Sequence, residues 1–162
     1  MSHGFWSSFA ASVRWMSKTT FEDELRRTGR LIYTNVGDSM QPLIRQGRDL
    51  VVIEPAKGRL KRNDVPLYRR DSGQYVLHRI LRVRAQDYVL CGDNRTGKET
   101  GITDRQIVGV LTAVIRGGKT LSVHSLRYRL YVCMIRMRRP LRVLRVKLRG
   151  LLRRGRQTGN QK

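Results

Sequence analysis

Acid is scarce in this chain: 12 Asp and Glu stand against 34 Lys and Arg in 162 residues, a formal charge of +22. Such an imbalance excludes cationic ligands as unassisted partners and favours phosphate-rich or anionic-lipid surfaces. Beyond residue 124 acid is missing altogether while 13 Lys and Arg remain, so the tail is a separate electrostatic object. Cysteine is nearly absent as well. Cys91 and Cys133 are too few for a disulfide framework or a Cys-based zinc site, and they leave the redox compartment open. The histidines are His3, His78 and His124, no two of them at metal-ligand spacing on one element, so neither a metal nor a cofactor is expected. No stretch approaches the roughly 18 uninterrupted apolar residues of a membrane span, and the chain is not expected to cross a bilayer by itself. A secretory signal is not expected either. The apolar run from Gly4 to Val13 has no basic region before it and no small-residue exit, and Met16 is an alternative start.

What is present supports one folded unit. A chain of 162 residues fits a single domain, and 40 % apolar residues suffice for a packed core. Residues 22–25 open a short amphipathic helix that ends near Gly29, after which the patterning is of β type. Residues 31–36 read as a strand, and 49–53 as a second after a loop holding Pro42 and Gly47. Residues 65–69 and 74–83 follow as a hairpin about the turn-forming Asp71-Ser72-Gly73. Residues 88–91 continue the β run, 92–105 read as a polar loop, and 107–115 pair with 120–123 across Gly117-Gly118. Then the period changes. Leu126, Leu130, Met134, Met137, Leu141, Leu144, Leu148 and Leu151 recur at intervals of three and four, a helical stripe that Pro140 is expected to kink or split near Arg138-Arg139. The expected fold is mainly β: a lead-in with a short helix over 1–29, a β-sheet domain over 30–124, and a C-terminal basic amphipathic helical tail over 125–162.

Two segments carry residues suited to chemistry. Gly92 to Lys98 follows the G-x-x-x-x-G-K phosphate loop, but Glu99 stands where a Ser or Thr must meet magnesium and no apolar helix follows, so a nucleotide site is not expected. The sharper constellation is Gly37-Asp38-Ser39-Met40-Gln41-Pro42, where a strand runs into a loop and can present a hydroxyl. A serine hydroxyl is a weak nucleophile that needs a neighbouring base. His78, sharing one strand face with Val76 and Ile80, is the natural candidate, because neutral imidazole accepts a proton at physiological pH. On pattern alone Ser39 beside Asp38 and Pro42 is more often turn chemistry than a nucleophile, and His78 among apolar neighbours is more often a hydrogen-bonded structural histidine.

The order of segments adds what spacing cannot. Ser39-Met40-x-Pro42, Gly47-Arg48-Asp49-Leu50-Val51-Val52, Asn63-Asp64-Val65-x-Leu67-Tyr68, His78-Arg79-Ile80-Leu81, Gly92-Asp93-Asn94 and Ile107-Val108-Gly109 stand in one collinear series over residues 31–120. This series resembles the S24/S26 serine peptidases, the type I signal peptidase-like group, and His78-Arg79-Ile80 is similar to its histidine branch rather than its lysine branch. The resemblance implies a signal peptidase/LexA-like β-sheet peptidase domain, with Ser39 as nucleophile and His78 as general base. It implies an acid at Asp93 or at Glu99, with Asp104 ranked behind both. Gly37, Met40 and Pro42 would support the oxyanion turn, with backbone N–H groups around Gly37 to Ser39 as the simplest donors. Two departures stand out: the N-terminal anchor usual in signal peptidases is not seen, and Arg48 interrupts the usual Gly-Asp pair before Asp49.

The activity implied is serine endopeptidase cleavage of a precursor or leader peptide through an acyl-enzyme, the substrate lying along a β edge. The basic tail has the composition of an interfacial helix, its leucines entering the headgroup boundary of an anionic membrane and its arginines meeting the lipid phosphates over 126–156. Peripheral association with a membrane, on its cytoplasmic side, is the localisation expected, and residues beyond Val123 are expected to be separable from hydrolysis. The reading from another class is a non-catalytic adaptor on a peptidase-like scaffold, binding a membrane surface or, less favoured in the absence of a recognised module, nucleic acid.

Overall fold

The computed structural model describes residues 20–158. The lead-in from Gly4 to Val13, with His3 and Met16, lies outside the described residues. Thr20 caps helix α1 (Phe21–Thr28) by accepting the Asp23 N–H at 3.2 Å, and Glu22, Asp23 and Glu24 occupy the first turn, where the helix dipole favours negative charge. Nine strands follow: β1 (Leu31–Thr34), β2 (Asp49–Glu54), β3 (Pro66–Arg69), β4 (Tyr75–Leu77), β5 (Arg79–Val83), β6 (Tyr88–Cys91), β7 (Glu99–Ile102), β8 (Ile107–Arg116) and β9 (Lys119–Ser122). The chain is mainly β with a C-terminal helix, as expected.

The strands form two antiparallel sheets. The larger has the order β1-β2-β8-β3-β4 with β9 also on β8, and the smaller is β5-β6-β7. The long β8 is the spine: it buries Leu111 and Val114, three apart because the register shifts between Ala113 and Leu111, and its two halves pair with different neighbours. One core joins Val51, Ile53, Leu67, Leu77 and Leu111 to Leu25 of α1 and to Met40, Leu43 and Ile44 of the first loop. A second core, Tyr68, Ile80, Tyr88, Leu90 and Ile102, joins the two sheets. Each such side chain contributes roughly 1.5–3 kcal/mol by leaving water.

Three expectations need correction. Residues 74–83 are two strands, β4 and β5, belonging to different sheets and separated by His78 alone. The switch is held by the Ile80 N–H on the Asp64 carbonyl and the Asn63 N–H on the Ile80 carbonyl, both at 2.9 Å, bonds made to a distant loop that periodicity within 74–83 cannot announce. The polar loop 92–105 contains strand β7 and a 3-10 turn at Asp104–Gln106. Its Glu-Thr-Gly-Ile sequence lacks apolar alternation, and pairing with β6 alone makes it a strand.

In the tail the expected split at Pro140 does not occur. Helix α2 (Leu126–Thr158) runs as one helix through Pro140. Proline deletes its own N–H bond to the Arg136 carbonyl, a loss of about 3 kcal/mol. Contacts on both sides of it hold the helix to one surface: Tyr128 and Ile135 are buried before it, and the Arg142 guanidinium donates to the Asp93 carbonyl after it. The leucine stripe is not the packed face. Leu126, Leu130, Met137, Leu141, Leu144 and Leu148 are 50–69 % exposed, and Met134 is half-buried at the edge. At about 100° per residue the six exposed positions fall within an arc of about 60°, opposite the inward Tyr128 and Ile135.

Candidate active site

Ser39 sits half-buried in the bend that leaves β1. Gly37 lets the chain turn at φ +98°, a conformation that side chains disfavour. The bend is pinned downstream: Met40 is fully buried, its carbonyl accepts the Ile44 N–H at 3.0 Å, and the Gln41–Pro42 peptide is cis. Arg116 of β8 donates to the Leu43 carbonyl at 2.9 Å and to buried Asp49 at 2.6 Å. Burial alone would raise the Asp49 pKa, but hydrogen bonds from Arg116 and Arg45 outweigh it and hold the carboxyl at about 2. The Gly-Arg-Asp segment thus fixes the loop that carries Ser39.

The Gly92-Asp93-Asn94 turn lies directly on Ser39. The Asn94 N–H donates to the Ser39 carbonyl at 2.8 Å, and Asp38 is bound by Arg95 and, at 3.4 Å, by the Asn94 amide. A Cβ on Gly92 would stand 2.5 Å from that carbonyl oxygen and 3.0 Å from the Ser39 Cβ, so only glycine fits. Cys91 pairs with Arg79 as the end pair of the β5–β6 ladder, so Gly92 and His78 are the residues that leave that pair on the two chains. Ser39, Gly92 and His78 therefore gather at one place, where the larger sheet hands the chain to the smaller. Among the described residues Ser39 Oγ has no hydrogen-bond partner, and none is found for the N–H groups of Gly37, Asp38 or Ser39.

His78, with 13 % of its side chain exposed, has Nδ1 at 3.1 Å from Tyr68 Oη and at 3.7 Å from Glu99 Oε2. Tyr68 donates to the same Glu99 oxygen at 2.7 Å, and Arg70 forks the carboxylate at 2.7 and 2.6 Å. Those Arg70 hydrogen bonds lead in lowering the Glu99 pKa, so the carboxylate is charged at neutral pH. Burial pushes the imidazole pKa below its ordinary value against the opposing pull of Glu99, so His78 is neutral at pH 7 and able to accept a proton.

The two acids carried forward from the sequence separate here. Asp93 is 3 % exposed and holds Arg79 through two bonds of 2.7 Å, while Tyr131 of α2 donates to it at 2.9 Å. Arg79 also reaches the Asn63 carbonyl at 2.9 Å and Tyr128 Oη at 3.0 Å. Asp93 makes no hydrogen bond to His78 and instead ties the turn to α2, whereas Glu99 faces the imidazole. Asp104 binds Tyr88 and Arg59. Tyr68 and Arg70 are the site residues that motif spacing misses. A signal for Tyr68 existed, because the hairpin register pairs Tyr68 with Val76 and so puts Tyr68 and His78 on one face as diagonal neighbours.

The edges of the larger sheet complete the setting. β1 runs into the Ser39 bend and β4 runs into His78, and each is the last strand on its side. Phe21 packs between Tyr33 of β1 and Tyr75 of β4, its ring 5.0 and 4.7 Å from theirs. The two edges, unpaired among the described residues, thus approach each other, bridged at one end by α1. No family model matches this chain, and no curated protein matches it.

Proposed function

We propose that this chain is a serine endopeptidase of the signal-peptidase kind, cleaving a precursor or leader peptide. The observation that carries the reading is a neutral, half-buried His78 whose Nδ1 side is engaged by a Tyr68–Glu99 pair, next to a serine with an uncommitted hydroxyl. An extended substrate adds between the free edges of β1 and β4, where strand hydrogen bonds hold its backbone. Ser39 Oγ attacks the scissile carbonyl as His78 Nε2 removes its proton, and N–H groups of the Gly37 to Ser39 bend receive the developing oxyanion. His78 returns the proton to the leaving amine, and water, deprotonated by the same base, frees the acyl-Ser39. Labelling by a peptide-mimetic serine acylator tests this. Modification at Ser39 that disappears in Ser39→Ala is expected; equal labelling of both proteins would remove the assignment.

The same reading places the enzyme on a membrane surface. Among the described residues no helix is long and apolar enough to cross a bilayer. Attachment instead uses the exposed stripe of α2, flanked by Arg127, Arg138 and Arg145 on one side and by Arg129 and Arg136 on the other. Leucine burial resists salt whereas arginine attraction to an anionic leaflet is screened by it. The double variant Leu130→Ser, Leu141→Ser is therefore expected to lose cosedimentation with anionic vesicles at high salt while keeping part of it at low salt, with an unchanged melting temperature. Retention equal to wild type at high salt would sink the surface, and displacement of the protein from vesicles by duplex DNA would favour the adaptor reading.

A further inference from the structure

We infer that Glu99 orients His78 through Tyr68, which stands between them as a positioning residue; the inference rests on the peptidase reading above. A carboxylate that orients a catalytic imidazole ordinarily accepts its Nδ1–H directly. Here the Glu99 to His78 separation is 3.7 Å, beyond a hydrogen bond, and the Tyr68 hydroxyl lies within bonding distance of both, at 2.7 and 3.1 Å.

Proton counting then fixes the direction. Glu99, forked by Arg70, is ionised and can only accept. The Tyr68 side chain is fully buried, and burial together with the Glu99 charge drives its pKa far up, so it keeps its single hydrogen. That hydrogen goes to Glu99. The contact with His78 must therefore be filled by the imidazole as donor, which assigns the proton to Nδ1 and leaves the Nε2 lone pair for Ser39. When Nε2 takes the serine proton, the imidazolium charge forms 3.7 Å from Glu99 Oε2 without any change in the chain of bonds. Tyr68 belongs to the second core, packed with Ile80, Tyr88 and Leu90, so the relay stands on a rigid strand rather than on a loop.

The groups facing His78 are Glu99 of β7, Arg70 beyond β3, and Asp93 and Arg95 of the turn after β6. Among them the Glu99 carboxylate does most to raise the imidazole pKa, so its removal lowers that pKa further.

The test compares Tyr68→Phe with Glu99→Gln in the full chain, using nitrogen NMR of the His78 ring and peptide hydrolysis per acylator-titrated site. Tyr68→Phe is expected to move His78 from the Nδ1–H to the Nε2–H form. It should lower kcat by up to about 10⁴-fold, the loss that a mis-set tautomer produces in Ser-His-Asp enzymes, with KM little changed. Glu99→Gln retains the buried phenol and is expected to lower kcat while shifting the acid limb of the rate profile to lower pH. An unchanged tautomer with kcat within about threefold of wild type in Tyr68→Phe would overturn the relay, as would an unmoved limb and rate in Glu99→Gln. A tautomer change in a protein whose Ser39 is never acylated would sustain the relay and remove the peptidase reading.

Discussion

Asp93→Asn is expected to cost the chain its stability more than its chemistry. The carboxylate is buried against Arg79, whose side chain is itself 1 % exposed, through two bonds of 2.7 Å. Removing one partner leaves a guanidinium charge without compensation in the interior, a loss of about 3–5 kcal/mol. For a domain of this size that is a fall in melting temperature of roughly 6–20 °C. Glu99→Gln should behave in the opposite way. Its pair with Arg70 is partly exposed, at 23 % and 35 % of the side chains, and contributes at most about 1 kcal/mol to folding, so the melting temperature should move little while the rate falls. Thermal denaturation and acylator-normalised kcat, measured on both variants, separate the two acids. Equal destabilisation by both changes would refute the division of labour, as would a large rate loss in an undestabilised Asp93→Asn.

That division was half legible in the sequence. The collinear segments locate Ser39, His78 and the Gly-Asp-Asn turn, because loops that must approach closely reveal themselves through residues such as Gly92 that tolerate no side chain. Which acid faces the imidazole depends on pairing partners far along the chain. Glu99 reaches His78 because β7 adds to β6, and Asp93 turns to Arg79 because α2 supplies Tyr128 and Tyr131 to finish a buried network. Neither is a local property. The same limit explains the strand read through His78: Tyr75, Val76 and Leu77 before it and Ile80, Leu81 and Val83 after it read as one β run, and only bonds to Asn63 and Asp64 reveal that the chain changes sheets there. In α2 the period of the leucines was read correctly as helix, but periodicity cannot say which face meets the domain. The aromatic and β-branched residues between the leucines do, since Tyr128 and Ile135 are buried and the leucines are exposed.

Truncation after Val123 is consequently expected to abolish the fold, where the sequence had suggested that it would leave hydrolysis intact. The cut removes Tyr128 and Ile135, each 6 % exposed in the intact chain. Their burial is worth about 3–6 kcal/mol together, a large part of the 5–15 kcal/mol that holds a typical domain. It also takes Tyr128 from Arg79 and Tyr131 from Asp93, leaving the ion pair under the Gly92 turn open to water. Because the next residue of that turn, Asn94, holds the Ser39 carbonyl at 2.8 Å, the Ser39 bend loosens with it. A cut after Arg145 is a different operation. It spares Tyr128, Tyr131, Ile135 and Arg142 and removes Leu148 with the basic residues beyond, each of which contributes roughly 1 kcal/mol of attraction to an anionic leaflet. The shorter cut should yield a protein without a cooperative urea transition and without peptide cleavage. The longer one should unfold cooperatively, cleave a soluble peptide at close to the wild-type rate, and bind anionic vesicles weakly. A cooperative, active protein ending at Val123 would mean that the inward face of α2 adds nothing to the domain and that the serine bend stands without it.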